Sequence, residues 1–244
     1  INRLGFNNDG AEVVRKRIEN NSPESLLGIN IGPNKDSKDM VNDFIKCAEI
    51  FFPLGDYITI NISSPNTPGL RDFHKIEVLD KLLLKINQVR EKSNFNKFFL
   101  LKVSPDLENS SVDNITKLIL EHKIDGVILT NTTDKNRENL LDKKKVEVGG
   151  LSGRPLKDLS TQFIKKFYKN LKGEIPIIGV GGIDSGESAF EKISAGASAL
   201  QLYTGLIYKG PTVIKDIKNE LIRILKNKGF KNIQEAVGSS LKWL

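Results

Sequence analysis

Six short aliphatic runs, each followed by a longer stretch of helical period, set the strongest limit on how this chain can fold. The runs fall at 28–32, 57–63, 98–104, 126–131, 175–181 and 199–204. The helix-period stretches lie near 39–52, 75–92, 111–122, 158–171, 186–195 and 211–228, with a short one at 232–237. Strands that alternate with helices in this way need right-handed crossovers, and therefore a parallel α/β sheet. The runs at 28–32 and 175–181 are rich in glycine and aliphatics and carry no charge, which predicts strands buried on both faces.

Two architectures satisfy this alternation. One is an open doubly wound sheet. The other is a closed (β/α)8 TIM barrel of which six strands are visible, the first two being expected ahead of residue 1. The polar residues separate them: Asn30, Asn61, Lys102 and Thr130 or Asn131 stand at or near the C-terminal ends of four different strands. A barrel gathers functional groups from many strand ends around one mouth, whereas an open sheet concentrates them at one switch point, so the barrel is the expected fold. Counted from the end, 175–181 and 199–204 are then the seventh and eighth strands, where barrels commonly bind phosphate. Gly-Val-Gly-Gly at 179–182 leaves backbone N–H groups unobstructed, and the helix beginning near Ser185 and Gly186 is expected to aim its positive end at an anion. Tyr203-Thr204-Gly205 adds a hydroxyl and another bare backbone.

The stretch from Ile58 to Arg71 is the richest in chemistry. Ile58, Ile60 and Ile62 fall on one face of a strand, and Thr59, Asn61 and Ser63 on the other. The turn that follows, Ser64-Pro-Asn-Thr-Pro-Gly69, is fixed by prolines and crowded with hydrogen-bonding groups. Lys102 lies inside the apolar run 98–103, where a charge needs a partner. A solvent-facing lysine at a strand end is one reading. An anionic ligand, such as a reduced flavin, is the other, because no acidic residue on a neighbouring strand end offers an ion pair. Asn2, Asn30, Asn61, Asn66 and Asn131 supply amides that donate and accept, which suits a planar ligand edged with N–H and C=O groups. Ser64 could act as an acid–base group, although no histidine stands at a motif position to help it.

With 244 residues, 39% hydrophobic and 27% charged, the chain is expected to form one domain over 1–244. A net charge of +7 comes from lysines spread along the helices, and aromatics make up only 7%, so no nucleic-acid partner is expected. No stretch of about 18 apolar residues could span a bilayer. The single cysteine and two histidines form no metal-ligand cluster, so no metal is expected; Cys47 reads as a small buried residue, and His74 and His122 as surface residues. The first ten residues contain no methionine, signal or transit character, and the chain is expected to be a fragment of a longer protein.

Eight motifs together resemble the dihydroorotate dehydrogenases, specifically the membrane-linked class 2. They are Asn-Arg-Leu-Gly-Phe-Asn at 2–7, Gly-Ile-Asn-Ile-Gly at 28–32, Asn-Ile-Ser-Ser-Pro-Asn-Thr-Pro-Gly-Leu-Arg at 61–71 and Leu-Lys-Val-Ser-Pro-Asp at 101–106. Thr-Asn-Thr-Thr at 130–133, Gly-Gly-Leu-Ser-Gly at 149–153, Gly-Val-Gly-Gly at 179–182 and Gln-Leu-Tyr-Thr at 201–204 complete the series. The resemblance implies an enzyme of de novo pyrimidine (UMP) biosynthesis that oxidises dihydroorotate to orotate, passes a hydride to FMN and is reoxidised by a membrane quinone. It implies that FMN is held by Asn30, Asn61, Lys102, Thr130, Ser152, Gly153, Gly181, Gly182, Tyr203 and Thr204. Substrate contacts would come from Asn2, Arg3, Leu4, Gly5, Phe6, Asn61, Asn66, Asn131 and Thr132. Ser64 aligns with the family's catalytic base, where class 1 enzymes carry cysteine, and Thr67 and Phe6 with residues lining the proton's way out. Class 2 members also begin with a membrane-docking helical segment and two strands, expected to be lost here, so that the fragment alone would be inactive. The setting expected is the cytoplasmic face of a bacterial inner membrane, with the mitochondrial inner membrane as the alternative. A related flavin barrel using another acceptor or pyrimidine, or a cofactor-free phosphate-binding isomerase, remains open.

Overall fold

The computed structural model describes residues 1–21, 23–93, 96–135 and 137–241. Six strands form one sheet: β1 (Gly28–Ile31), β2 (Tyr57–Asn61), β3 (Phe98–Val103), β4 (Gly126–Leu129), β5 (Ile177–Val180) and β6 (Ala199–Gln201). Every neighbouring pair is parallel, and the strand order is the sequence order, β1 to β6. A doubly wound sheet must reverse its order at a switch point, and this one never does. Residues of both outermost strands, Asn30 and Gln201, line the same cavity, so the sheet curls around it in the manner of a barrel wall.

Helices cover the outer face. They are α1 (Ala11–Asn20), α2 (Met40–Phe51), α3 (Ile76–Lys92), α4 (Asn109–Glu121), α5 (Lys157–Asn170), α6 (Gly186–Ser194), α7 (Thr204–Lys209), α8 (Val213–Asn227) and α9 (Ile233–Ala236). The two-residue alternation decides what each strand gives to which side. Ile29, Ile31, Ile58, Ile60, Phe99, Leu101, Val103, Val127, Leu129 and Ile177 face the helices in one continuous core. Each such buried aliphatic stabilises the fold by about 1.5–3 kcal/mol. The opposite face carries Asn30, Thr59, Asn61 and Lys102 into the barrel.

That division corrects the expectation of strands buried on both sides. β1 alternates exposed and buried residues, and β5 alternates buried and half-buried ones, because the inner face opens on a cavity rather than on packed side chains. β5 begins at Ile177, since Pro176 has no N–H to enter the ladder. α1 and α7 were not foreseen; α1 buries none of its residues, which leaves its apolar period faint. Both histidines are half-buried rather than on the surface. His122 Nε2 lies 2.7 Å from Asp80. Cys47 is half-buried too, and burial pushes its thiol pKa up, as befits a packing residue.

Candidate active site

Along the inner face of the sheet, from Gly28 and Tyr57 to the C-terminal ends of the strands, lies a cavity of about 410 Å³, inside the range of roughly 300–1,000 Å³ usual for small-ligand sites. Asn2, Leu4, Gly5, Phe6, Asn30, Asn61, Ser64, Asn66, Lys102, Thr130, Asn131, Thr132, Ser152, Gly153, Gly181, Gly182, Tyr203 and Thr204 all line it. Arg3 does not. Its side chain is 62% exposed and its guanidinium lies 3.7 Å from Glu147, on the outer side of the N-terminal segment. Thr67 is buried behind the wall rather than in it.

Asn61 and Lys102 are register partners on β2 and β3, so their side chains emerge at one level on the inner face. The Asn61 amide is oriented by its neighbours. Its Oδ1 accepts from the Ser63 N–H at 3.1 Å, the Ser63 hydroxyl at 2.7 Å and Asn131 Nδ2 at 3.5 Å. Its Nδ2 is thereby left as the group to donate to a ligand. Asn131 Oδ1 is likewise taken, by the Thr132 N–H at 2.7 Å, while its Nδ2 donates to Ser63 Oγ at 3.0 Å. Ser63, fully buried, is thus the pivot for both amides. Its place two residues after Asn61 on the polar face was the signal that could have assigned it that role.

Lys102 meets no carboxylate among the described residues. Burial alone pushes its pKa below the usual lysine value, with no acidic neighbour to offset the loss of water. A cation in that condition favours any anion that enters the cavity.

The amide-rich end of the cavity is closed by the chain's first residues. Asn2 pairs antiparallel with Gly150, its N–H donating to the Gly150 carbonyl at 3.0 Å and its carbonyl accepting from the Gly150 N–H at 2.8 Å. Asn66 Nδ2 adds a 3.4 Å bond to the Asn2 carbonyl. Ser64 is buried in the turn beneath, and its Oγ accepts from the Asn66 N–H at 3.2 Å.

At the other end three glycines, Gly153, Gly181 and Gly182, bring backbone to the cavity beside the side chains of Ser152, Tyr203 and Thr204. Gly182 has φ 72°, and a Cβ there would come within 2.7 Å of Lys157 Cα. Thr204 Oγ1 donates to Ser152 Oγ at 2.9 Å, joining the two loops that border this end. The expected anion-facing helix is a correction. Ser185 caps α6 in a box with Ser188, and Glu220 of α8 accepts from the Gly186 N–H at 2.5 Å, so the positive end of α6 is already answered from within the protein. Neither Ser185 nor Gly186 lines the cavity. Thr204 opens α7 instead of ending a strand, which places Tyr203, Thr204 and Gly205 at the start of a new element beside the glycines. Beyond them adjoins a hollow of about 530 Å³ bounded by Ile183, Ile207 and Tyr208. Gln201, Thr59 and Tyr57 also line the main cavity and were missed as site residues, although their register on the inner face follows from the same alternation.

A family model described as dihydroorotate dehydrogenase matches residues 1–225. A dihydroorotate dehydrogenase (quinone) of Rhodopseudomonas palustris strain BisA53 is 44% identical over 244 residues, which cover 98% of this chain and 67% of the relative. One of Bradyrhizobium diazoefficiens is 42% identical over 245 residues, with the same shares. Among solved structures, the Eimeria tenella enzyme in complex with ferulenol superposes with a TM-score of 0.95 at 36% identity, covering 99% of this chain and 71% of that one. Its ligand-free form gives 0.94 at 37%, covering 99% and 74%. Likeness on this scale extends over the cavity walls as well as the sheet that carries them, and the chain belongs to the dihydroorotate dehydrogenase family.

Proposed function

We infer that this chain oxidises dihydroorotate to orotate in pyrimidine biosynthesis, with FMN as the bound flavin and a quinone as final acceptor. The observation that carries the reading is the meeting of Ser64, Asn61, Asn131 and Lys102 in one cavity of a chain whose relatives are named dihydroorotate dehydrogenase (quinone). The residues present fit FMN: an unpaired cation for an electron-rich ring, an oriented amide donor beside it, and an end where Gly153, Gly181 and Gly182 stand with the Ser152 and Thr204 hydroxyls for the phosphate. Bound there, FMN would take up the hydride and hand its electrons on.

The chain's own groups account for the remaining steps. Asn2, Asn66, Asn131 and Thr132 line the end where a planar substrate with alternating N–H and C=O edges is held. Ser64 takes a proton from the substrate carbon. The Asn66 N–H pointing at its Oγ favours the negative charge that develops when the hydroxyl gives up its own proton, and burial keeps competing water away. Phe6 lines the cavity beside Ser64 and Thr67 is buried in the same turn, and in this reading the proton leaves past these two residues. Arg3, pointing outward, is left out of the substrate set. The neighbouring hollow beside Ile207 and Tyr208, which are 67% and 86% exposed, suits an apolar acceptor such as a quinone. No helix among the described residues is long and apolar enough to cross a membrane. A quinone acceptor would put the enzyme against the membrane peripherally, in this reading at the cytoplasmic face in a bacterium.

In the FMN-loaded enzyme, Ser64→Ala should slow flavin bleaching by dihydroorotate by about a hundredfold or more while leaving the flavin bound. Bleaching at a near-normal rate in that variant would remove Ser64 from the reaction.

A further inference from the structure

We propose that Arg71 is a positioning residue, holding the turn that carries Ser64 in register with the strand-end loops that carry Asn131 and Thr132. The inference rests on the assignment of Ser64 as base. Arg71 lies in the short helix Leu70–His74, directly after that turn, where Gly69 has φ 74°. Its Nη2 donates to Asp106 at 2.9 Å, on the loop after β3, and its Nη1 to Asp134 at 2.8 Å, on the loop after β4. A guanidinium can fork to two carboxylates in this way, and an ammonium cannot.

Asp106 makes the fork matter. Its side chain is 5% exposed, and besides Arg71 it accepts from the Thr133 hydroxyl and from the Asp134 N–H at 3.2 Å. Thr133, fully buried, then pairs with Leu151, next to Ser152, through the Leu151 N–H at 2.7 Å and its own N–H at 3.1 Å. One carboxylate therefore ties together the loops after β2, β3 and β4 and the strap that borders the flavin end. The Ser64 turn itself makes a long side-chain bond elsewhere, 3.4 Å from Asn66 to the Asn2 carbonyl, which leads to the N-terminal segment and not to those loops. A base that must sit within hydrogen-bond reach of a carbon acid tolerates little displacement, and an error near 1 Å can cost on the order of a hundredfold in rate.

The test uses the complete FMN-loaded enzyme in anaerobic single turnover with dihydroorotate. Arg71→Ala and Asp106→Asn should each slow flavin bleaching about ten- to hundredfold, with the oxidised flavin spectrum near that of the parent. Added guanidinium should restore part of the Arg71→Ala rate. Because Arg71 acts through Ser64, the double variant S64A/R71A should be no slower than S64A alone. In flavin-free protein, amide hydrogen exchange at residues 64–69 should quicken in Arg71→Ala. Should that variant not fold, Arg71→Lys, which keeps the charge and loses the fork, carries the same tests. Bleaching within about twofold of the parent, or losses that multiply in the double variant, would overturn the proposal. If S64A alone bleaches flavin normally, the base assignment fails, and exchange at 64–69 decides the loop-positioning role: faster in Arg71→Ala upholds it, unchanged overturns it.

Discussion

A desolvated cation without a counter-charge works against folding until an anion arrives, and Lys102 is in that state on the inner face of β3. Lys102→Met should therefore leave the flavin-free protein at least as resistant to heat as the parent, while FMN affinity, followed by quenching of flavin fluorescence, falls tenfold or more. Its pKa lies below the ordinary 10.5, so affinity for an anion should also weaken as pH rises through that lowered value, because the amine must regain its proton on binding. A Lys102→Met variant that binds FMN normally would show that the charge faces something else. Lys102 and Asn61 were readable in advance because a strand's two-residue period assigns each side chain to a face. Arg71, Asp106 and Thr133 were not, since their partners lie 35 and 27 positions away and meet only once the loops are folded against one another. Ser63 sat on the correct face, but its service to two amides depends on Asn131 arriving from the loop after another strand, 68 residues on.

At the level of elements, the strand and helix series was legible in outline because β-then-α spacing repeats six times, and the ends were not. Strands expected to reach 63, 131 and 204 stop at Asn61, Leu129 and Gln201, where the chain leaves the ladder to form the cavity rim. α7 is six residues long and starts immediately beyond β6, too short to register a helical period. The turn at Leu70–His74 shows what such a short element can hide. Burial, with the Arg71 charge adding to it, pushes the pKa of His74 from 6.5 down to about 4. The folded chain keeps His74 neutral where the unfolded chain protonates it, so stability should fall as pH drops from 6.5 toward 4. His74→Asn should relieve a loss on the order of 3 kcal/mol at the acid end. Urea unfolding at pH 7 and pH 4 checks this, and an equal acid loss in parent and variant would show that His74 does not control it.

For the whole molecule, the order of the sheet leaves β1 and β6 as edges among the described residues, with Gly28, Asn30 and Ala199 exposed along them. Unpaired edges recruit other strands. The 244-residue chain produced by itself should associate with concentration in sedimentation experiments, and a monomer at every concentration tested would contradict that. The barrel itself could be inferred from where polar residues stood along many strands. The manner in which the unit from β5 to α6 is finished could not, because Ser-Gly at 185–186 opens a helix in the same way whether its positive end meets a ligand or, as here, a carboxylate from a later helix. That carboxylate, Glu220, fastens α8 to the backbone at Gly186, where α6 begins four residues past Gly182. Changes in α8 thus have a mechanical route to the glycine end where the flavin phosphate is proposed to sit, and shortening the chain ahead of Glu220 should loosen retention of the prosthetic group without touching any residue proposed to contact it.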